Sequence, residues 1–275
     1  MAQNAAALPA MEDAYPLSSE QVGQYQRDGH LVLRGVASAE ELAVYRPAIG
    51  RLVAQHRAKL PPLEERNTYG KAFIQIGNLW ELDAACARFS LAKRFARIAA
   101  ELMGVDGVRM YHDQALFKEA GGGHTPWHQD QHYWPLDTHH TITMWMPLVP
   151  VAEAMGTMNF ASGSHSVGYL GDMPISDKSE EVFQSFVREK GFKVVSAGAM
   201  AAGDATFHSG WTLHSAPGNQ SDRCREVMTI IWYADGTRLM KPDNANREAD
   251  LRRWHPQQQP GDLAASVLNP LLYKK

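Results

Sequence analysis

The chain has 275 residues, 44% of them hydrophobic, enough to bury a sizeable core, and a single domain is the expectation because β-barrels with added helices reach this length. Its 27 basic side chains against 30 acidic ones leave a net charge of −3 with no Lys/Arg stripe, so no nucleic-acid partner is expected. Two cysteines, Cys86 and Cys224, lie outside any C-x-x-C pair, which excludes a disulfide framework and a cysteine zinc cluster and fits a reducing, cytoplasmic setting.

The opening MAQNAAALPAMEDAYPL has neither the basic start nor the apolar run of a signal peptide and reads as a short, loose leader. No later stretch approaches the ~20 consecutive apolar residues that span a bilayer, so no membrane partner is expected. LSSEQVGQYQRDG predicts an amphipathic helix capped by Ser18 or Ser19 and stopped at Gly29, and HLVLRGV then reads as a strand. Ser38 with Glu41 three residues on forms a capping box for a second helix, whose apolar positions Leu42, Tyr45, Ile49, Leu52 and Val53 keep helical spacing before Pro61-Pro62 ends the region. FIQIG is a possible strand. SLAKRFARIAAELMG predicts a third helix with Leu91, Phe95, Ile98 and Leu102 on one stripe and Gly104 as its left-handed stop.

From about residue 108 the pattern becomes short apolar runs between turn residues: VRMYHDQALFK, TITMWMPLV, GTMNFA, KVVSA, GDATFH, TLHSA and REVMTIIWYA. A helical part over 17–104 followed by seven short strands predicts a mainly β fold with flanking helices, a β-sandwich or jelly roll with its core at about 108–235. SDKSEEVFQSFVREKG interrupts the strands as a surface helix with Val182, Phe183, Phe186 and Val187 inward, a candidate lid. The stretch 236–275, rich in Pro, Gln and Asn, reads as irregular chain wrapped over the domain.

Seven of the 12 histidines lie between residues 112 and 165, and spacing sorts them. His124, His128 and His132 would line one face of a helix, as in helical zinc proteases, but Gly121, Gly122, Gly123 and Pro126 oppose a helix there. If HQD instead lies at a strand end, the alternation of side chains turns His128 and Asp130 to one face and makes a two-ligand corner. A second imidazole from a distant strand completes one face of an octahedron and leaves three positions open, two for a chelating 2-oxo acid and one for dioxygen. TLHSAPGN supplies His214. His208 competes, but HSGW reads as a tight connection pointing elsewhere, and only His214 has a strongly basic residue, Arg225, eleven positions later on the next strand. A keto acid that chelates iron at one end carries a second carboxylate at the other, and arginine grips such a group bidentately.

Here the sequence resembles the phytanoyl-CoA dioxygenase family. QALFKEAGGGHTPWHQDQHYWP (114–135) is similar to its metal-binding block, and LHSAPGNQSDRCREV (213–227) to the block with the second histidine and the arginine. TMWMPLVPVAEAMGTMNFASGSH resembles its central strands and LSSEQVGQYQRDGHLVLRGV its usual start, so the likeness covers most of 17–235. The resemblance implies a double-stranded β-helix of cupin-like type, Fe(II) and 2-oxoglutarate as cofactors, His128, Asp130 and His214 as iron ligands, and Arg225 as the anchor of the far carboxylate. It further implies that Gln114 and Trp145 line the cofactor side of the pocket. The family often has Ser two residues after the second histidine where this chain has Ala216, and neighbouring Ser215 is the candidate substitute. Halogenating relatives replace the acidic ligand with a small residue, so Asp130 favours hydroxylation.

The expected activity is hydroxylation of an unactivated C–H bond of a small molecule with O2, releasing succinate and CO2. Trp127, Tyr133, Trp134, Phe73 and Gln75 are candidates for substrate contact. Two other classes fit the same three ligands: a zinc-dependent hydrolase with no use for Arg225, and a cupin-like binding protein without turnover. The sequence is silent on oligomeric state.

Overall fold

The computed structural model describes residues 8–275, so the first part of the expected leader lies outside the described residues. Ser18 accepts from the Gln21 amide while the Gln21 side chain accepts from the Ser18 amide, and this reciprocal cap opens α1 (Ser19–Asp28), which Gly29 closes. β1 (His30–Leu33) follows, and the Ser38–Glu41 box opens α2 (Ala39–Arg57), whose Leu42, Tyr45, Ile49 and Val53 are buried. Then come α3 (Thr68–Ala72) and β2 (Ile74–Gly77), the FIQIG strand. The expected third helix starts three residues late, and an unexpected helix precedes it. Asp83 accepts from the amides of Ala85 and Cys86 and caps α4 (Ala84–Ser90); Leu91 ends that helix, and α5 (Lys93–Met103) starts only after Ala92. Phe95, Ile98 and Leu102 form the buried stripe of α5, and Gly104 stops it as expected.

The remaining elements are β3 (Gly107–Phe117), β4 (Thr125–His128), β5 (Thr141–Pro147), β6 (Asn159–Ala161), α6 (Asp177–Glu189), β7 (Val194–Ser196), β8 (Ala205–Ser209), β9 (His214–Ala216), β10 (Val227–Ala234), α7 (Ala245–Trp254) and β11 (Leu271–Lys274). Each of the seven expected runs contributes a strand. The larger sheet has the order β1-β8-β5-β10-β3, with β2 and β11 pairing opposite ends of β3; the smaller is β4-β9-β6-β7, and every pairing is antiparallel. This is a double-stranded β-helix, the cupin-like jelly roll expected of the sequence.

Alternation along the central strands divides their chemistry. Met144, Met146, Met228 and Ile230 join Phe95, Ile98 and Leu42 in the main hydrophobic core under the helices. Their neighbours His112, Gln114, Thr143, Trp145 and Thr229 face a cavity that residues of β4 and β9 also line. Pairing of β3 with β10 slips by one residue, so His112 opposes Ile231, Met110 opposes Trp232, and Tyr111 is the extra residue of a bulge.

Two expectations are corrected. In α6, Phe183 and Val187 are buried against Trp127, Ala161 and Leu213, but Val182 is exposed, because it precedes Phe183 by about 100° around the helix. The stretch 236–275 is not irregular throughout. Asn244 caps α7, and Asn269 donates to the carbonyls of Met110 and Tyr111, which docks the chain beside β3 and lets β11 pair with it. α7 escapes a hydrophobic pattern because charge dominates it; of its residues only Arg247 and Trp254 are buried.

Candidate metal centre and its cavity

His128 and His214 face each other across the β4–β9 pair, their ring centroids 4.1 Å apart. His128 Nδ1 lies 2.7 Å from the Pro126 carbonyl and His214 Nδ1 lies 2.9 Å from that of Thr212. A carbonyl only accepts, so both Nδ1 atoms carry the proton and both Nε2 lone pairs are free. Asp130 completes the group: its Oδ1 is 3.5 Å from His128 Nε2 and 3.6 Å from His214 Nε2, and the three ligand atoms all lie within 4.8 Å of one another. The route to this geometry differs from the expected strand alternation. β4 stops at His128, and Asp130 opens a 3-10 turn anchored where the Gln131 amide donates to the Gly210 carbonyl.

The other Asp130 oxygen is held in place. Oδ2 accepts from the Thr143 hydroxyl at 2.8 Å and lies 3.2 Å from His208 Nε2. His208 was expected to point away; in fact β8 runs through it, pairs it with Thr143 of β5, and turns both side chains to the same carboxylate. The alternation of Thr206 and His208 within GDATFH was the available signal. Burial opposes ionisation of Asp130, yet the surrounding imidazoles of His214, His128 and His208 hold its carboxyl well below the usual range. Burial keeps His214 well below the usual imidazole range. A carboxylate with two imidazoles that both turn Nε2 toward it is a donor set suited to a divalent metal.

Arg225, which lines the same cavity, is 1% exposed. Its guanidinium lies 5.1 Å from the Trp145 ring centroid and donates to the Gly156 carbonyl, but its Nε has no hydrogen-bond partner. Burial pushes its pKa down to about 9. Lys118, paired with Arg225 across a β-bridge and also fully buried, donates to the carbonyls of Gly123 and Pro217. Burial and the neighbouring Arg225 charge push the Lys118 ammonium down to about 6, so Arg225 is the buried cation of this pair, and it has no acidic partner among the described residues, an arrangement that a bound carboxylate would complete.

The cavity that joins these features has a volume of about 300 Å³, and its walls include His128, Asp130, His214 and Arg225. Gln114 and Trp145 line it as expected; Gln75 donates to the Gln114 side chain at 2.5 Å. Ser215 and Ala216 both reach it, as do Phe73, Gln75, Tyr133 and Trp134. Trp127 does not: it packs under α6, where its amide donates to Glu180 at 2.8 Å.

The sequence matches the family described as phytanoyl-CoA dioxygenase over residues 25–227, well over half of the chain. The chain belongs to the phytanoyl-CoA dioxygenase family. Among its relatives are the ectoine dioxygenases of Streptomyces anulatus, 21% identical over 82% of each chain, and of Sphingopyxis alaskensis, 22% identical over 82% of this chain and 79% of that one. Among solved structures, the non-haem α-ketoglutarate-dependent carbocyclase SnoK from nogalamycin biosynthesis shares the fold with a TM-score of 0.74, at 24% identity over 93% of this chain and 96% of that one. The ectoine dioxygenase EctD from S. alaskensis with 2-oxoglutarate and 5-hydroxyectoine does so at 0.67, with 20% identity over 87% and 86%. As a member of the phytanoyl-CoA dioxygenase family the chain is a non-haem iron, 2-oxoglutarate-dependent dioxygenase, not a zinc hydrolase or a passive binding protein. Among the described residues no helix is long and apolar enough to cross a membrane.

Proposed function

We propose that this dioxygenase hydroxylates an unactivated C–H bond of a small molecule and releases succinate and CO2. One observation carries the reading: two imidazoles and one carboxylate converge in a cavity whose lining also holds a buried guanidinium with no anionic partner among the described residues. In this reading His128, Asp130 and His214 hold iron through one face, and Arg225 takes the far carboxylate of 2-oxoglutarate. Bound iron with 2-oxoglutarate supplies the oxidant for the C–H bond.

The side chains supply placement. Thr143 and His208 hold Oδ2 of Asp130, which leaves Oδ1 on the side of His128 and His214, where it would serve as a ligand. Trp145 lies against the guanidinium and holds its plane, while the Gly156 carbonyl occupies one edge and leaves the rest for a carboxylate. Ser215, beside Ala216, offers the hydroxyl that Ala216 lacks. Phe73, Leu116, Met158 and Ile231 make the apolar part of the wall and keep water from the reacting centre. The ectoine dioxygenases among the relatives favour hydroxylation. SnoK, a carbocyclase of the same fold, shows why the outcome needs its own test.

Titration of the protein with Fe(II) and 2-oxoglutarate under argon is expected to give the visible charge-transfer band of the chelate. Turnover under 18O2 is then expected to place one labelled oxygen in succinate and one in the product. Absence of the band rejects the site assignment, whereas a product without label rejects hydroxylation alone.

A further inference from the structure

The cavity has a second polar wall that the oxidising centre does not use. α7 builds it: Asp250 and Arg253, one helical turn apart, and Trp254 all face the cavity. This helix lies beyond the residues that match the family, yet it is fastened to the turn that carries Asp130. Asn246 Nδ2 is 3.1 Å from His132 Nε2, and Arg247 donates to the Gln131 carbonyl at 3.3 Å. Tyr69 and Tyr133 stand within the electrostatic reach of both Asp130 and Asp250; burial raises both phenols and the two carboxylates add to the effect. The wall therefore faces the same space as the metal corner.

Burial raises the Asp250 carboxyl to about 7, and the Arg253 charge on the same wall opposes that rise. Asp250 accepts from the Tyr111 hydroxyl at 2.9 Å, which leaves most of a carboxylate's acceptor capacity open, and no Lys or Arg forms an ion pair with it among the described residues. The Arg253 guanidinium rests 4.4 Å from the Trp254 ring centroid, and its N–H edge makes no hydrogen bond among the described residues. Each group keeps bonding capacity toward the cavity that a neutral occupant would leave unused. A dication would meet Arg253, and a dianion Asp250. At about 300 Å³ the cavity sits at the small end of ligand sites, so the occupant is compact.

We propose that this wall selects a small zwitterion, its protonated nitrogen against Asp250 and its anionic group toward Arg253, with the carbon skeleton between them across the aromatic rings. The inference rests on the oxygenase reading of the cavity. Free α-amino acids, their N-acetyl derivatives and their amides form a matched set of probes, titrated calorimetrically under argon into protein loaded with Fe(II) and 2-oxoglutarate. At least one zwitterion is expected to bind about tenfold or more tightly than both of its blocked derivatives. Asp250→Asn is expected to erase the discrimination against the N-acetyl form, and the exposed Arg253→Gln that against the amide. Tyr111 still has an oxygen to bond in the first variant, and circular dichroism checks the fold of both. Equal binding of all three forms, or no binding by any zwitterion while the chelate band forms normally, overturns this inference and leaves the oxygenase reading standing; failure of the band itself rejects that earlier reading.

Discussion

At the scale of single residues, Asp130 does two jobs with two oxygens. Asp130→Ala is expected to abolish succinate formation and to strip iron on dialysis, read by metal analysis, because the variant loses a ligand and the charge that balances the cation. Thr143→Val and His208→Ala leave the three ligands intact but free the carboxylate to rotate, and iron affinity is expected to fall about 10–100-fold in each. If either binds iron as wild type does, that contact is packing only. Arg225→Ala is expected to weaken 2-oxoglutarate binding roughly thirtyfold, about 2 kcal/mol, with iron still bound. That His128, Asp130 and His214 lie together, with Arg225 in the same cavity, was legible because metal chemistry restricts residue types and the intervals within H-x-D and from His214 to Arg225 are short. His208, Asp250 and Tyr111 were not. Their positions depend on strand register, a bulge and a charged helix, which only the folded chain defines.

At the scale of elements, the reciprocal caps at Ser18 and Ser38 made the starts of α1 and α2 readable to within a residue, and Ser38→Ala is expected to cost about 1 kcal/mol in denaturant melts. α4 and α7 were hidden because their buried faces are short or charged, so no apolar period marks them. One turn couples scaffold to site. Gly156 has φ +79°, and a Cβ there would meet the Pro217 carbonyl oxygen at 2.2 Å, while its own carbonyl takes the hydrogen bond from Arg225. Gly156→Ala is expected to lower both thermal stability and 2-oxoglutarate affinity, measured by melting and titration. Lowered stability with unchanged affinity would uncouple that turn from the anchor.

At the scale of the whole molecule, seven strands in the larger sheet and four in the smaller line a cavity that mixes polar and apolar walls, while the main hydrophobic core lies between the larger sheet and the helices. Iron and 2-oxoglutarate would compensate the buried charges of that cavity and bind only the folded chain. At about a hundredfold excess over the dissociation constant this linkage is worth about 2.7 kcal/mol, which raises the melting temperature by about 5–10 °C, and a chelator should reverse the rise. A melting point indifferent to metal would contradict the site. One support of the whole lies far from it in the chain: the Gly29 carbonyl accepts from the Ser209 amide at 2.9 Å and from the Thr212 hydroxyl at 2.8 Å, which ties the end of α1 to the loop that delivers His214. Any side chain at position 29 would collide with His165 and Thr212. Random mutagenesis scored for colonies that lose the metal would therefore return lesions in the opening thirty codons, and those lesions would report on a hinge pin rather than on a catalyst.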